Sequence, residues 1–211
     1  MNAHTKAILD QLDAHYGREY ICYLNHENAW QLLIATMLSA QCTDARVNIV
    51  TKDLFVKYPS VEAFAEADLK ELEQDIRPTG FYHNKAKNII ACCQKLLQDY
   101  NGEVPSDIEQ LTALAGVGRK TANVVLNTAF GHPTIAVDTH IFRVCNRTNF
   151  APGKDVVKVE EKLLKVVPKE FKVDVHHWLI LHGRYTCTAR KPRCGACIIE
   201  DLCEYKEKTE Y

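Results

Sequence analysis

Apolar residues recur at spacings of three and four along most of the chain, and no stretch sustains an apolar–polar alternation. That periodicity predicts helices and no sheet, an all-α fold. Ala7, Ile8, Leu9 and Leu12 predict a short first helix. Asn28 stands where it can cap a helix through Trp30, Leu32, Leu33, Ile34, Met37 and Leu38. Asp44 opens the next, with Val47, Val50, Leu54 and Phe55 on one face and Tyr58-Pro59 at its end. A helix through Leu69 and Leu72 stops before Arg77-Pro78-Thr79-Gly80, and a longer one covers 85–97. Ser106 followed by Glu109 three residues on reads as a capping box at the head of another. Further helices open at Arg119, follow Asp138, and cover 155–167 and 173–185. The segment Gly80-Phe81-Tyr82-His83-Asn84-Lys85-Ala86 faintly echoes a later glycine, lysine and alanine arrangement, too weakly to define a repeat.

Composition narrows the class. With 211 residues the chain can form one large domain or two small ones. No apolar run reaches membrane-spanning length, and Met1-Asn2-Ala3-His4-Thr5-Lys6 lacks the apolar core of a secretory signal. The expected location is cytoplasmic: nucleoid-associated in a bacterium, nuclear in a eukaryote. Nine cysteines, an odd number, argue against a disulfide framework in such a compartment. Cys22, Cys42, Cys92, Cys93 and Cys145 lie on apolar faces and read mostly as small buried hydrophobes.

The net charge of −1 by itself argues against a nucleic-acid binder, but the distribution argues the other way. No acid falls within 76–98, which holds Arg77, Lys85, Lys87 and Lys95, or within 110–137, which holds Arg119 and Lys120. None falls within 175–199, which holds Arg184, Arg190, Lys191 and Arg193. A near-neutral protein can therefore still present a basic face.

The stretch Leu114-Ala115-Gly116-Val117-Gly118-Arg119-Lys120-Thr121-Ala122 gives that charge a shape. Gly116 and Gly118 allow a tight hairpin by taking positive φ, and let a phosphate approach the backbone. The helix opening at Arg119 turns its free N–H groups toward the hairpin, as an anion site does. This is the expected form of a helix-hairpin-helix grip on nucleic acid. From Lys120 to Phe130 a helix advances about 15 Å. Residues 131–138, if extended, reach up to about 26 Å, so the chain can return Asp138 to Lys120. Asp138 also stands where it can cap the helix that follows. An amine beside a carboxylate suggests attack on a sugar carbon, and the attacking lysine must be uncharged. The positive helix start, Arg119 and partial burial would favour the neutral amine. The carboxylate's expected service is support of a cationic sugar transition state.

Cys187, Cys194, Cys197 and Cys203 give the spacing C-x6-C-x2-C-x5-C. Four thiols so close imply a metal centre, zinc or a [4Fe–4S] cluster. Zinc ribbons pair two C-x2-C knuckles, and the single one here favours iron–sulfur. Arg190, Lys191 and Arg193 lie in the loop between the first two cysteines and would face phosphate.

Together, these features resemble the endonuclease III family of base-excision-repair DNA glycosylases and abasic-site lyases. The match rests on Leu38-Ser39-Ala40-Gln41-Cys42-Thr43-Asp44, the hairpin 116–122, Val137-Asp138-Thr139-His140-Ile141-Phe142-Arg143-Val144 and the four-cysteine tail, in that order. The resemblance implies a six-helix domain over 22–132, and a discontinuous domain of 1–21 plus 133–211 that holds a [4Fe–4S] cluster. Double-stranded DNA with a damaged base or abasic site would cross the cleft between them, gripped by a monomer. A damaged pyrimidine would be flipped out. Lys120 and Asp138 would be catalytic. Gln41 and Phe81 would fill the vacated space, and Gly116, Gly118, Arg119, His140 and Lys191 would contact DNA. Phe81 stands where a leucine is expected, and Ala115 where many relatives carry proline. A thymine- or adenine-mismatch glycosylase is the alternative. The adenine enzyme lacks the lysine and carries a further domain. A non-catalytic iron–sulfur DNA-binding protein is a third reading, against which Lys120 with Asp138 weighs.

Overall fold

The computed structural model describes residues 2–18 and 22–210. Among these residues there are eleven α-helices and no strand: α1 (Ala3–Tyr16), α2 (Ala29–Leu38), α3 (Asp44–Lys57), α4 (Val61–Ala65), α5 (Leu69–Asp75), α6 (Tyr82–Tyr100), α7 (Ile108–Thr112), α8 (Arg119–Phe130), α9 (Thr139–Thr148), α10 (Val156–Val166) and α11 (Lys172–Tyr185). Two compact units divide the chain, Cys22–Phe130, and Met1–Ile21 with Gly131–Tyr211. The expected boundary at 21/22 touches residue 21, which lies outside the described residues. No helix of the described residues is long and apolar enough to cross a membrane.

In the unit Cys22–Phe130, α2 is the axis. Its sequence is apolar on every side, and every residue from Gln31 to Leu38 is buried. Such a helix is stable only when wrapped, and α3, α6 and α8 pack on it. The Asn28 side chain caps it by accepting from the Gln31 amide at 3.0 Å. Two buried polar groups are satisfied locally: the Thr36 hydroxyl donates to the Leu32 carbonyl at 2.7 Å, and Gln31 Oε1 accepts from the Glu27 amide at 2.8 Å. Trp30, Phe55 and Phe64 meet edge to face beside it. Cys92 and Cys93 are buried on α6, as small core residues.

Three details differ from the periodicity. The unit has seven α-helices, not six, because Val61–Ala65 forms a five-residue helix capped by Ser60, too short to show a period. The long helix starts at Tyr82 rather than Lys85, because Phe81 enters it from the left-handed region, at φ 49°. The head of α7 is capped by Asp107, not Ser106: Asp107 Oδ1 accepts from the amides of Glu109 at 3.0 Å and Gln110 at 2.9 Å. A carboxylate beside a positive helix start is the stronger partner.

The second unit joins α1 to elements far along the chain. Ile8, Leu9 and Leu12 of α1 share one core with Ile141 and Val144 of α9, Val159 and Leu163 of α10, and Trp178 and Leu179 of α11. Trp178 is fully buried, and its indole N–H donates to the Gly17 carbonyl at 2.6 Å. Cys145 is buried in this core.

Asp107→Ala is expected to lower unfolding stability by about 1 kcal/mol, while Ser106→Ala changes it by less than about 0.5 kcal/mol. Urea titration of the two variants checks the assignment, and equal losses would return the cap to Ser106.

Candidate functional site

The hairpin between α7 and α8 is built from alternating demands. Leu111, Leu114 and Val117 are buried, whereas Gly116 and Gly118 are exposed. The Val117 amide donates to the Leu114 carbonyl at 3.2 Å, which closes the turn. Gly116 has φ 72°, and a Cβ there would lie 2.7 Å from Asn88 Cβ and 3.0 Å from Met37 Cε. Gly118 is different from the expectation. Its φ is not in the left-handed region, and a Cβ would meet nothing within 4 Å. The fold requires glycine at 116 but not at 118, where the backbone faces open space. Its carbonyl accepts from the Ala122 amide at 3.0 Å as α8 begins. Arg119 and Lys120 are the first two residues of α8 and are exposed. The expected partial burial of Lys120 is therefore absent, because the first turn of α8 projects from the packed face that starts at Ala122.

In the same unit one open pocket of about 170 Å³ brings Gln41, Phe81 and Gly116 together, with Met37, Asn84, Lys85 and Asn88 in its wall. Gln41 and Phe81 come from separate loops. Both take positive φ, 52° and 49°, which is uncommon outside glycine. Phe81 is 64% exposed, a large apolar ring standing in solvent. Periodicity missed the supporting wall: Asn84, Lys85 and Asn88 read only as polar positions at the head of α6. Their spacing of one and four residues was the available signal, since i and i+4 share a helix face.

Asp138 lies in the other unit. It caps α9, with Oδ1 accepting from the amides of His140 and Ile141, both at 2.8 Å. The cap uses one carboxylate oxygen and is compatible with a second role. His140 is half-buried, and Arg143 Nη2 lies 3.1 Å from its Nδ1. Because a guanidinium only donates, Nδ1 must accept and the ring proton sits on Nε2. His140 is thereby set as a donor.

The four tail cysteines border one small cavity, together with Arg147, His182 and Tyr205. All four are half-buried and free. Burial pushes the Cys197 thiol up to about 11, and the charges of Cys203, Cys187 and Cys194 act the same way against a backbone hydrogen bond from Ile199. Thiolates this mutually repulsive need a cationic core to hold them ionised. Among the described residues, no three Cys, His, Asp or Glu side chains converge on a point that one metal ion could occupy. Thiols spread around a cavity suit a polynuclear cluster, in which each binds its own iron, better than a single zinc. The donor set thus fits [4Fe–4S].

Two arginines one turn apart on α9 hold this segment. Arg143 Nε donates to the Cys187 carbonyl at 2.8 Å, and its Nη2 to the Gly183 carbonyl at 2.6 Å. Arg147 donates to Cys187 Sγ at 3.5 Å, to the Thr188 carbonyl at 2.7 Å and to the Ala189 carbonyl at 3.1 Å. The Tyr205 ring covers its guanidinium at 4.5 Å. His182 Nε2 lies 3.5 Å from Cys197 Sγ. Arg190, Lys191 and Arg193 remain exposed on the loop so braced, with Lys191 at φ 51° and its carbonyl accepting from the Thr188 hydroxyl at 3.2 Å. Sequence reading missed Arg143 and Arg147 as braces, because a helical arginine gives no sign of which carbonyl it will reach.

A helix-hairpin-helix with an exposed lysine, joined in one chain to a four-thiol centre, defines a class of DNA-repair protein. Residues 34–169 match the HhH-GPD superfamily base excision DNA repair protein, and residues 187–203 match the iron–sulfur binding domain of endonuclease III. The chain belongs to the endonuclease III family: endonuclease III of Haemophilus influenzae is 68% identical over 188 residues, 89% of each protein. Among solved structures, a non-covalent endonuclease III–DNA complex superposes with a TM-score of 0.90 at 49% identity, over 96% of both chains. A trapped endonuclease III–DNA covalent intermediate, an estranged-adenine complex, gives 0.89 at 48% identity, also over 96% of both.

The two hairpin glycines are expected to separate under substitution. Gly116→Ala should destabilise the fold by about 1–3 kcal/mol, through positive φ and the Asn88 contact. Gly118→Ala should leave stability unchanged or raise it by up to about 1 kcal/mol while weakening binding to duplex DNA. Thermal melts read beside anisotropy titrations distinguish the two. Removal of the cluster by oxidation and chelation should open the braced loop. Trypsin is then expected to cut after Arg190 and Arg193 faster in the stripped protein than in the loaded one, as read by mass spectrometry.

Proposed function

We propose that Lys120 and Asp138 carry out the chemistry by which this chain removes oxidised pyrimidines from duplex DNA and then cuts the strand at the abasic site. The observation that carries this is Lys120 itself, exposed in the first turn of a helix launched from a hairpin with an open backbone at Gly118. The Lys120 amine, uncharged when it attacks, forms a bond to C1′ of the damaged nucleotide. The glycosidic bond breaks, and its electron pair leaves with the base. Positive charge spreads over the sugar as that bond lengthens, and the Asp138 carboxylate stabilises it. Loss of the amine proton and opening of the sugar ring give an imine between Nζ and C1′. The imine acidifies C2′; loss of a C2′ proton and departure of the 3′ phosphate oxygen with its bonding pair complete the β-elimination. A covalent intermediate with DNA, of the kind trapped for the relative, fits this route.

Binding falls to the residues around the reaction. The backbone at Gly116 and Gly118, the positive start of α8 and Arg119 receive phosphates. His140 donates through Nε2, and Lys191 adds a cation from the braced loop. Gln41 and Phe81 enter the gap left by the flipped nucleotide, which suits one exposed amide and one exposed ring on neighbouring loops. Cys187, Cys194, Cys197 and Cys203 would hold the [4Fe–4S] cluster, which would tie both ends of the basic loop and could supply one-electron redox capacity. The protein works as a monomer in the cytoplasm, on the nucleoid of a bacterium.

Borohydride trapping tests the lysine. With a duplex carrying one abasic site, the loaded protein is expected to form a covalent adduct, and Lys120→Met to form none while still binding the duplex. Absence of an adduct from folded, cluster-loaded wild type would overturn the lyase reading. Asp138→Asn should keep the fold, because an amide oxygen can still cap α9, while turnover falls by about 10²–10³-fold.

A further inference from the structure

Lys85 is 7% exposed, yet it is a lysine and belongs to no part of the chemistry above. Its ammonium donates to two backbone carbonyls from different elements, Leu38 and Thr79, both at 2.8 Å. Leu38 is the last residue of α2, and Thr79 the last residue of the 3-10 turn Arg77–Thr79. Each is the negative end of a helical segment, where a cation is favoured. The chain leaves those ends for Gln41 three residues later and for Phe81 two residues later. Both of these residues hold positive φ, and both line the pocket whose wall includes Lys85. The Lys85 amide also closes the first turn of α6, donating to the Phe81 carbonyl at 3.1 Å.

We propose that Lys85 is a positioning residue: its ammonium clamps the two loops together and so sets the spacing at which Gln41 and Phe81 enter the duplex gap. This rests on the reading that those two residues fill the gap. Two strained residues on separate loops will not keep a fixed separation unaided, because each left-handed turn relaxes readily if its loop can move. A single compact cation with three donors can satisfy both loop carbonyls at once, which no neutral side chain of that length can do as well. Burial lowers the ammonium's hold on its proton, against an opposing pull from Cys42. The faint echo between residues 80–86 and the hairpin acquires a physical contrast: Lys120 is exposed, whereas Lys85 is turned inward onto carbonyls.

The test compares cluster-loaded wild type, Lys85→Met and the double variant Gln41→Ala with Phe81→Ala. Each is titrated against an undamaged duplex and against one carrying a tetrahydrofuran abasic-site analogue. The clamp predicts that Lys85→Met loses about tenfold in affinity for the analogue and keeps its affinity for undamaged duplex. Adding Lys85→Met to the double variant should cause no further loss, since residues acting as one unit are not additive. Equal losses on both duplexes, no loss on the analogue, or full additivity would overturn it. If the double variant binds the analogue as wild type does, the gap-filling reading fails and the clamp with it. If the double variant weakens and Lys85→Met does not, the role of Lys85 alone fails. Should Lys85→Met lack cluster absorbance or a cooperative melt, Lys85→Gln, which keeps a neutral donor, takes its place. A selective but smaller loss on the analogue then supports the clamp, and no loss overturns it.

Discussion

The turn at Gly116 admits no side chain. Its φ of 72° is left-handed, and the backbone lies so close to Asn88 and Met37 that even a methyl group would collide. Much of the unit Cys22–Phe130 follows from that close approach. It presses the hairpin onto α6 and α2 and lets Val117 reach the core, 5% exposed, between two exposed glycines. With Val117 anchored, α8 must begin immediately afterwards, so its first turn carries Arg119 and Lys120 out to solvent while Ala122, Val125 and Leu126 pack inward. The same contact makes Gly116 part of the pocket wall shared with Gln41 and Phe81. One steric constraint thus sets where the amine stands and where Gln41 and Phe81 meet.

In the other unit the cysteine segment, unlike the helical core, depends on charge and hydrogen bonds more than on close packing. Four thiols border one cavity, with burial pushing those of Cys197 and Cys203 up, and the segment that carries them has only short 3-10 turns of its own, Cys194–Ala196 and Glu200–Leu202. Its order comes from outside: Arg143 and Arg147 reach across from α9 to its carbonyls. Lys208 donates to the Glu200 carbonyl at 2.7 Å, and the Thr209 hydroxyl donates to the Pro192 carbonyl. Backbone acceptors that would lie in strands or helices elsewhere are satisfied here by side chains. The iron–sulfur core completes that bracing by removing the repulsion among the thiolates.

Much of this was legible in the residues. Helical periodicity placed the long elements, and caps such as Asn28, Asp138 and Asp155 marked their heads because a carboxylate or amide at a helix start has a specific local partner. The cysteine spacing exposed the metal centre for the same reason, since here all four thiols fall within one short stretch of the chain. What stayed hidden depended on distant partners. Val61–Ala65 is too short to show a period. The different needs of Gly116 and Gly118 follow from Asn88 and Met37, far away in sequence. Lys85 read as a surface cation because nothing local tells a lysine that two carbonyls await it.

The pairing of α1 with α11 bears on the order in which the chain matures during synthesis. Cys22–Phe130 is one uninterrupted segment, and all the residues of its core have been synthesised once residue 130 is made. The core around Ile8, Leu9 and Leu12 must wait for Val159, Leu163 and Trp178, so α1 is made first and docks among the last. Until then its apolar stripe has no native partner, the condition under which nascent chains engage chaperones. The cysteines Cys187 to Cys203 follow α11 in the chain, and α1 also meets their segment, His4 Nε2 lying 2.8 Å from the Leu202 carbonyl. The helix-hairpin-helix is therefore synthesised in full before the first of the four tail cysteines.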